Sequence, residues 1–198
     1  MTQILDLAPT ADRLAGVLNG ITDDQLNAPT PCDGTSVAEL LDHVSGVTRG
    51  FRAAAAKDFG PMTSTPPSQD ASRLAATWRT DIAEQARTLA QAWTDPAAYE
   101  GMTQIGGVSL PGEVAGRIAL NELLLHGWDL ARATDQPYQP DPAAIQTCLA
   151  SLSMMYPAED LDRRKGIFGP PVEVPDDASA VDRAVAFSGR PPAWPQQS

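Results

Sequence analysis

The sequence predicts an all-α protein, a four-helix bundle with one extra short helix and an irregular C-terminal segment. Four long segments repeat apolar residues at three- and four-residue intervals, the period of a helix with one buried face. Proline-rich connections of differing length separate them, and amphipathic helices joined in this way pack as an antiparallel-type bundle. A length of 198 residues with 42% hydrophobic content suits one domain, 1–198, with a core able to fold unaided and an extension from about 157.

The first helix is expected over about 7–19, with Leu7, Leu14, Val17 and Leu18 on its apolar side and Gly20 as the stop. A connection, "TDDQLNAPTPCDGT", follows. The second helix begins after Ser36, because Glu39 three residues on gives the spacing of a capping box. Val37, Leu40, Leu41, Val44, Val47 and Phe51 form its stripe, and His43 sits within that stripe. "GPMTSTPPSQ" reads as a loop, since its three prolines remove donors and fix dihedrals. A third helix is expected from about 70 to 93 through Leu74, Trp78, Ile82 and Leu89. The stretch 97–110 alternates weakly around Gly-Gly and reads as a small hairpin or an irregular excursion. Pro111 then opens a fourth helix running to about 133, and a fifth spans about 142–155. The tail holds a short helical piece around "ASAVDRAVAFSG" and a proline-rich end.

Charge narrows the partners. Fourteen basic residues against 25 acidic ones give a net charge of −11, and no basic cluster offers the stripe that a phosphate backbone or an anionic membrane requires. The N-terminus lacks the basic and apolar regions of a signal peptide, and no run of eighteen apolar residues occurs, so a cytoplasmic protein is expected. Two distant cysteines make no disulfide framework. Cys148 reads as a small core residue; Cys32 reads as a packed thiol, with a reactive one at a helix start as the alternative. Trp78 and Trp128 at helical spacing read as core, and Arg163, Arg164 and Lys165 as a solvated loop.

The segment "NELLLHGWDLA" places Glu122 and His126 four residues apart in an apolar run, on one helical face, with Asp129 following. A buried carboxylate needs a proton, a partner or a metal. The chain has only two histidines, His43 and His126, each on or beside the stripe of a long helix. Taken singly, each reads as a hydrogen-bonded core residue. Together with Glu122 they offer a His2Glu set for a divalent metal with an open position, and the residues alone leave the two readings balanced. Asp129 reads as an acceptor that orients a ligating imidazole, or equally as the partner of Arg132, Arg183 or Arg190.

"TPCDGTSVAELLDHVSG", "NELLLHGWDLARATDQP" and "GIFGPPVEVPDDASAVDRAVAFSGRPP" together resemble the actinobacterial relatives of mycothiol-dependent maleylpyruvate isomerase, within the DinB-like metalloprotein superfamily. The resemblance spans nearly the whole chain. It implies a four-helix bundle and a divalent metal, zinc first with nickel or iron as alternatives, held by His43, Glu122 and His126. It also implies mycothiol as cosubstrate, an electrophilic second substrate, and thiol S-transfer or isomerisation. A non-catalytic metal- or ligand-binding module on the same bundle is the alternative. A homodimer suits such a fold, though no residue points to one. Two departures stand out: relatives carry a tryptophan where this chain has Thr35 and Ser36, and the isomerase has a further C-terminal domain where about forty residues follow Tyr156 here.

Overall fold

The computed structural model describes residues 4–194, so the last four residues of the expected proline-rich end lie outside it. Helix α1 (Ala8–Gly20) starts with Pro9 in its first turn, where a missing N–H costs nothing. Helix α2 (Val37–Ala55) begins as its sequence dictates: the Ser36 hydroxyl accepts from Glu39 N, and Glu39 Oε2 accepts from Ser36 N at 2.8 Å. The proline loop contains one helical turn, α3 (Pro61–Ser64), in place of wholly irregular chain.

Helix α4 (Trp78–Ala92) is shorter than expected. The buried Asp42 carboxylate accepts from Ser68 Oγ at 2.6 Å and Asp70 N at 3.1 Å, while Asp70 caps the separate turn Ala71–Arg73. These side-chain bonds offer the backbone an alternative to the helix until Thr77. After the turn α5 (Pro96–Tyr99), strands β1 (Met102–Ile105) and β2 (Val108–Pro111) pair antiparallel as the hairpin alternative anticipated. Gly106 and Gly107 both take positive φ, the requirement of a tight two-residue turn. Pro111 ends β2 and stands just ahead of α6 (Gly112–Ala133) instead of inside its first turn.

Helices α1, α4, α2 and α6 form the bundle, with α1 and α2 on one diagonal and α4 and α6 on the other. Leu14, Leu18, Leu40, Leu41, Ile82, Leu89, Leu120 and Leu124 meet in the core, where each fully buried side chain contributes about 1.5–3 kcal/mol. Trp78 and Trp128 are buried there too. Cys148 also packs in the core, where burial pushes its thiol up to about 12. Helix α7 (Pro142–Met155), capped by Asp141, packs on α6, and α9 (Ala180–Phe187) packs on α7. No helix among the described residues is long and apolar enough to cross a membrane.

Between them lies α8 (Leu161–Arg164), which corrects the expectation of a solvated basic loop. Arg164 is only 1% exposed, and its guanidinium donates to the carbonyls of Tyr156, Gly169 and Phe187, tying three separate stretches of the C-terminal segment together. Gly189 fixes the same region: its φ is 86°, and an added Cβ would sit 2.8 Å from Gly169 Cα. Gly189→Ala is therefore expected to cost about 1–3 kcal/mol in urea unfolding, since it combines a left-handed backbone with a backbone collision. An unchanged midpoint would show that the crossing is not as close as described.

Candidate metal centre

Two rods of the bundle bring the predicted residues together. On α2, His43 lies among Leu40, Leu41, Val44 and Val47, so its ring turns toward the interior. On α6, Glu122, His126 and Asp129 follow one another at four and three residues, a single file facing α2. The His43 and His126 rings stand edge to face with centroids 5.0 Å apart. Glu122 Oε2 lies 3.0 Å from His126 Nε2 and 3.5 Å from His43 Nε2. Yet that oxygen is buried and accepts no hydrogen bond of acceptable direction, and His43 Nδ1 is likewise without a partner among the described residues.

The electrostatics are those of a tight cluster. Burial pushes the Glu122 carboxyl upward, but the two imidazoles beside it more than reverse this and hold it well below the usual carboxylate range. Burial works the other way on His126, where Asp129, Cys32 and Glu122 around the ring raise it well above an ordinary histidine. His126 Nδ1 donates to Asp129 Oδ2 at 3.0 Å, which leaves Nε2 as the atom facing Glu122.

Asp129 touches both an imidazole and a guanidinium. Besides the imidazole it accepts a two-pronged contact from Arg190, Nε to Oδ1 at 2.7 Å and Nη2 to Oδ2 at 2.9 Å. Arg132 instead reaches the carbonyls of Pro192 and Trp194, and Arg183 that of Ala178. Asp129 is wholly buried; burial raises its carboxyl, and the Arg190 charge together with His126 brings it below the ordinary value. The arginine comes from just beyond α9, so the C-terminal segment reaches across to fix a ring on α6.

A cavity of about 240 Å³ opens over the cluster, walled by Ile118, Asn121, Leu125, Tyr156, Ile167 and Phe168. Cys32, Gln69 and Arg190 line both this cavity and an outer groove of about 600 Å³. The expectation that Cys32 is a packed thiol is thus corrected: it is half-buried at the junction of the two spaces, and Arg190 Nη2 donates toward its sulfur at 3.5 Å. Sequence spacing had no means of showing this, because the contacts join residues 158 and 94 positions apart.

The donor set suits a divalent cation. Atoms each about 2 Å from one tetrahedral ion lie roughly 3.3 Å from each other, and the Nε2 and Oε2 atoms are spaced at 3.0 and 3.5 Å. A buried carboxylate oxygen without a hydrogen-bond donor, facing two imidazole nitrogens, is what such an ion would satisfy.

Residues 7–131 match the family model of the mycothiol maleylpyruvate isomerase N-terminal domain. The chain belongs to this family. The match takes in α1, α2, α4 and nearly all of α6, hence His43, Glu122, His126 and Asp129. Two curated relatives, Uncharacterized protein MT0763 and Uncharacterized protein Rv0738 from two strains of Mycobacterium tuberculosis, are each 26% identical over 180 residues, 90% of this chain and 92% of theirs. The crystal structure of the mycothiol-dependent maleylpyruvate isomerase superposes with a TM-score of 0.56 at 15% identity, over 74% of this chain and 67% of that one. A histidine-to-alanine mutant of the same enzyme gives 0.56 at 16%. That likeness establishes a shared helical fold.

Proposed function

We propose that this family member binds one divalent cation through His43, Glu122 and His126 and uses it to activate a small thiol, mycothiol, toward an electrophilic substrate. The observation that carries the reading is Glu122 Oε2, buried, without a donor, and facing both Nε2 atoms. Zinc suits two imidazoles and a carboxylate best, ahead of nickel or iron. A bound cation supplies positive charge that favours a thiolate over a thiol at neutral pH.

The chain's own residues do the rest. Asp129 and Arg190 hold the His126 ring in one orientation, so that its Nε2 faces inward. Tyr156, Ile167 and Phe168 line one side of the cavity and give it largely apolar surface. Gln69, together with Thr30, Asp33 and Ser188 along the outer groove, offers polar groups to a sugar-linked thiol. The thiol sulfur then adds to an electrophilic carbon. The π bond there breaks and its electron pair moves onto the conjugated electron-withdrawing group; uptake of the thiol proton at the neighbouring carbon leaves the thioether of S-transfer, whereas rotation and return of the electron pair expel the thiolate and give isomerisation. The C-terminal segment forms one wall of the site through Tyr156, Ile167 and Phe168.

Elemental analysis of protein purified without a histidine tag is expected to return about one divalent ion per chain. The metal-loaded protein mixed with mycothiol and a panel of electrophiles is expected to consume thiol. A protein that takes up no zinc, nickel or iron ends the proposal. One that binds metal and thiol tightly yet stays inert is a binding module.

A further inference from the structure

We propose that a separate cavity between α2 and α4 is a second binding site, for a small zwitterion of the amino-acid type. It has a volume of about 230 Å³ and shares no lining residue with the space over His43 and His126. The buried side chains of Trp78 and Ile82 make its floor. The chain from Arg73 to Ala75, just ahead of α4, adds a third side.

Four charged groups line this cavity: Asp42 and Arg49 from α2, Asp81 from α4, and Arg73 from the chain between them. Two are positive and two negative, yet none of the four takes part in an ion pair among the described residues. Elsewhere on α4 the arginines do pair, Arg79 with Asp23 at 2.7 Å and Arg87 with Asp12 at 3.2 Å. In the cavity, local bonds engage three of the four. Arg49 Nε donates to Ser45 O at 3.1 Å, Asp42 Oδ2 accepts from Ser68 Oγ and Asp70 N, and Asp81 Oδ2 accepts from Thr77 Oγ1 at 2.6 Å. Arg73 lies near Asp70, whose Oδ1 accepts from Ser72 instead.

The groups left over define the ligand. Asp42 Oδ1 has no donor among the described residues and, in contrast to Glu122 Oε2, stays open to solvent. Gln85 Oε1 accepts from Ser45 Oγ at 3.2 Å and Thr48 Oγ1 at 3.1 Å, which orients the amide and leaves its Nε2 as a donor. A lone anion here would meet two carboxylates, and a lone cation two guanidiniums; either juxtaposition of like charges costs affinity. A molecule with a carboxylate and an ammonium answers both pairs. The guanidiniums and the Gln85 amide receive the carboxylate, and Asp42 and Asp81 receive the ammonium. The space is smaller than the roughly 300–1,000 Å³ of drug-sized pockets, so it suits a single amino acid better than a peptide.

The test titrates the full chain with L-glutamine at low ionic strength and follows the backbone amides by NMR. Saturable shifts are expected within 42–49 and 73–85, the two stretches that carry the lining. N-acetyl-L-glutamine, which lacks the ammonium, and L-glutaminamide, which lacks the carboxylate, should each bind at least about tenfold more weakly. Arg73→Gln and Asp81→Asn alter exposed side chains, so both variants should melt as wild type does and each bind L-glutamine about fivefold more weakly. Asp42 is left intact because it also holds Ser68 and Asp70. Absence of saturable shifts up to about 20 mM, shifts centred elsewhere, equal binding of either blocked analogue, or undiminished binding by both variants would overturn the proposal. No candidate metal ligand lines this cavity, so failure here and failure of the metal-binding reading are separable.

Discussion

Asp129→Ala is expected to lower the melting temperature by about 10 °C, the largest stability effect of any single change at the site. Asp129 is wholly buried and answers Arg190 with two contacts and His126 with a third. Removing the carboxylate leaves the Arg190 guanidinium, itself 7% exposed, with no counter-charge, and breaking one side of a buried pair costs about 3–5 kcal/mol. In a domain of this size each kcal/mol moves the midpoint by about 2–4 °C. The double change Asp129→Leu with Arg190→Met removes both charges and is expected to recover at least half of the loss. The pH dependence has a definite sign. The folded-state carboxyl lies below its ordinary 3.8, so its contribution is fully present above that value and disappears as the pH falls through the lower, folded one. Wild type and Asp129→Ala should therefore converge in stability on acidification. A midpoint within about 2 °C of wild type at neutral pH would show that Arg190 finds another partner.

Glu122→Gln is expected to abolish metal uptake in a chain that still folds. Glutamine keeps the shape but lacks the charge, and removal of a hard anionic donor should weaken binding by roughly a hundredfold or more, from about one ion per chain to none on gel filtration. The metal-free protein should fold but melt below metal-free wild type at neutral pH, because glutamine removes the charge that faces the two imidazoles, and the gap should close on acidification as that carboxylate is protonated. Retention of stoichiometric metal by this variant would take Glu122 out of the ligand set. Comparing the two substitutions separates a residue that holds the protein together from one kept for its chemistry.

The helices were legible in the sequence because their signals are local. The Ser36 and Glu39 pair announces α2, and the stripe from Leu40 to Phe51 carries it onward. His43 and the file from Glu122 to Asp129 could be placed on inward faces by the same counting. The start of α4 could not, since it depends on Asp42, 28 residues earlier, gripping the backbone at Asp70. Arg190 was one of three candidate partners for Asp129 until the path of the C-terminal segment selected it, 61 residues away. Arg164 looked like one of three surface cations because nothing in its neighbours shows that three carbonyls converge on it. Periodicity identifies the face a residue occupies; which distant strand of chain returns to that face is a property of the packed whole.

The stretch recognised by the family model stops at residue 131, but the cluster it contains is finished by groups from 156 to 190. A fragment trimmed to the recognised stretch would retain all three donors and still be the wrong object to assay. It would leave one buried anion without its guanidinium partner and strip the wall of Tyr156, Ile167 and Phe168 from over the imidazoles. For this protein the end of the recognised stretch and the end of the candidate site fall in different places.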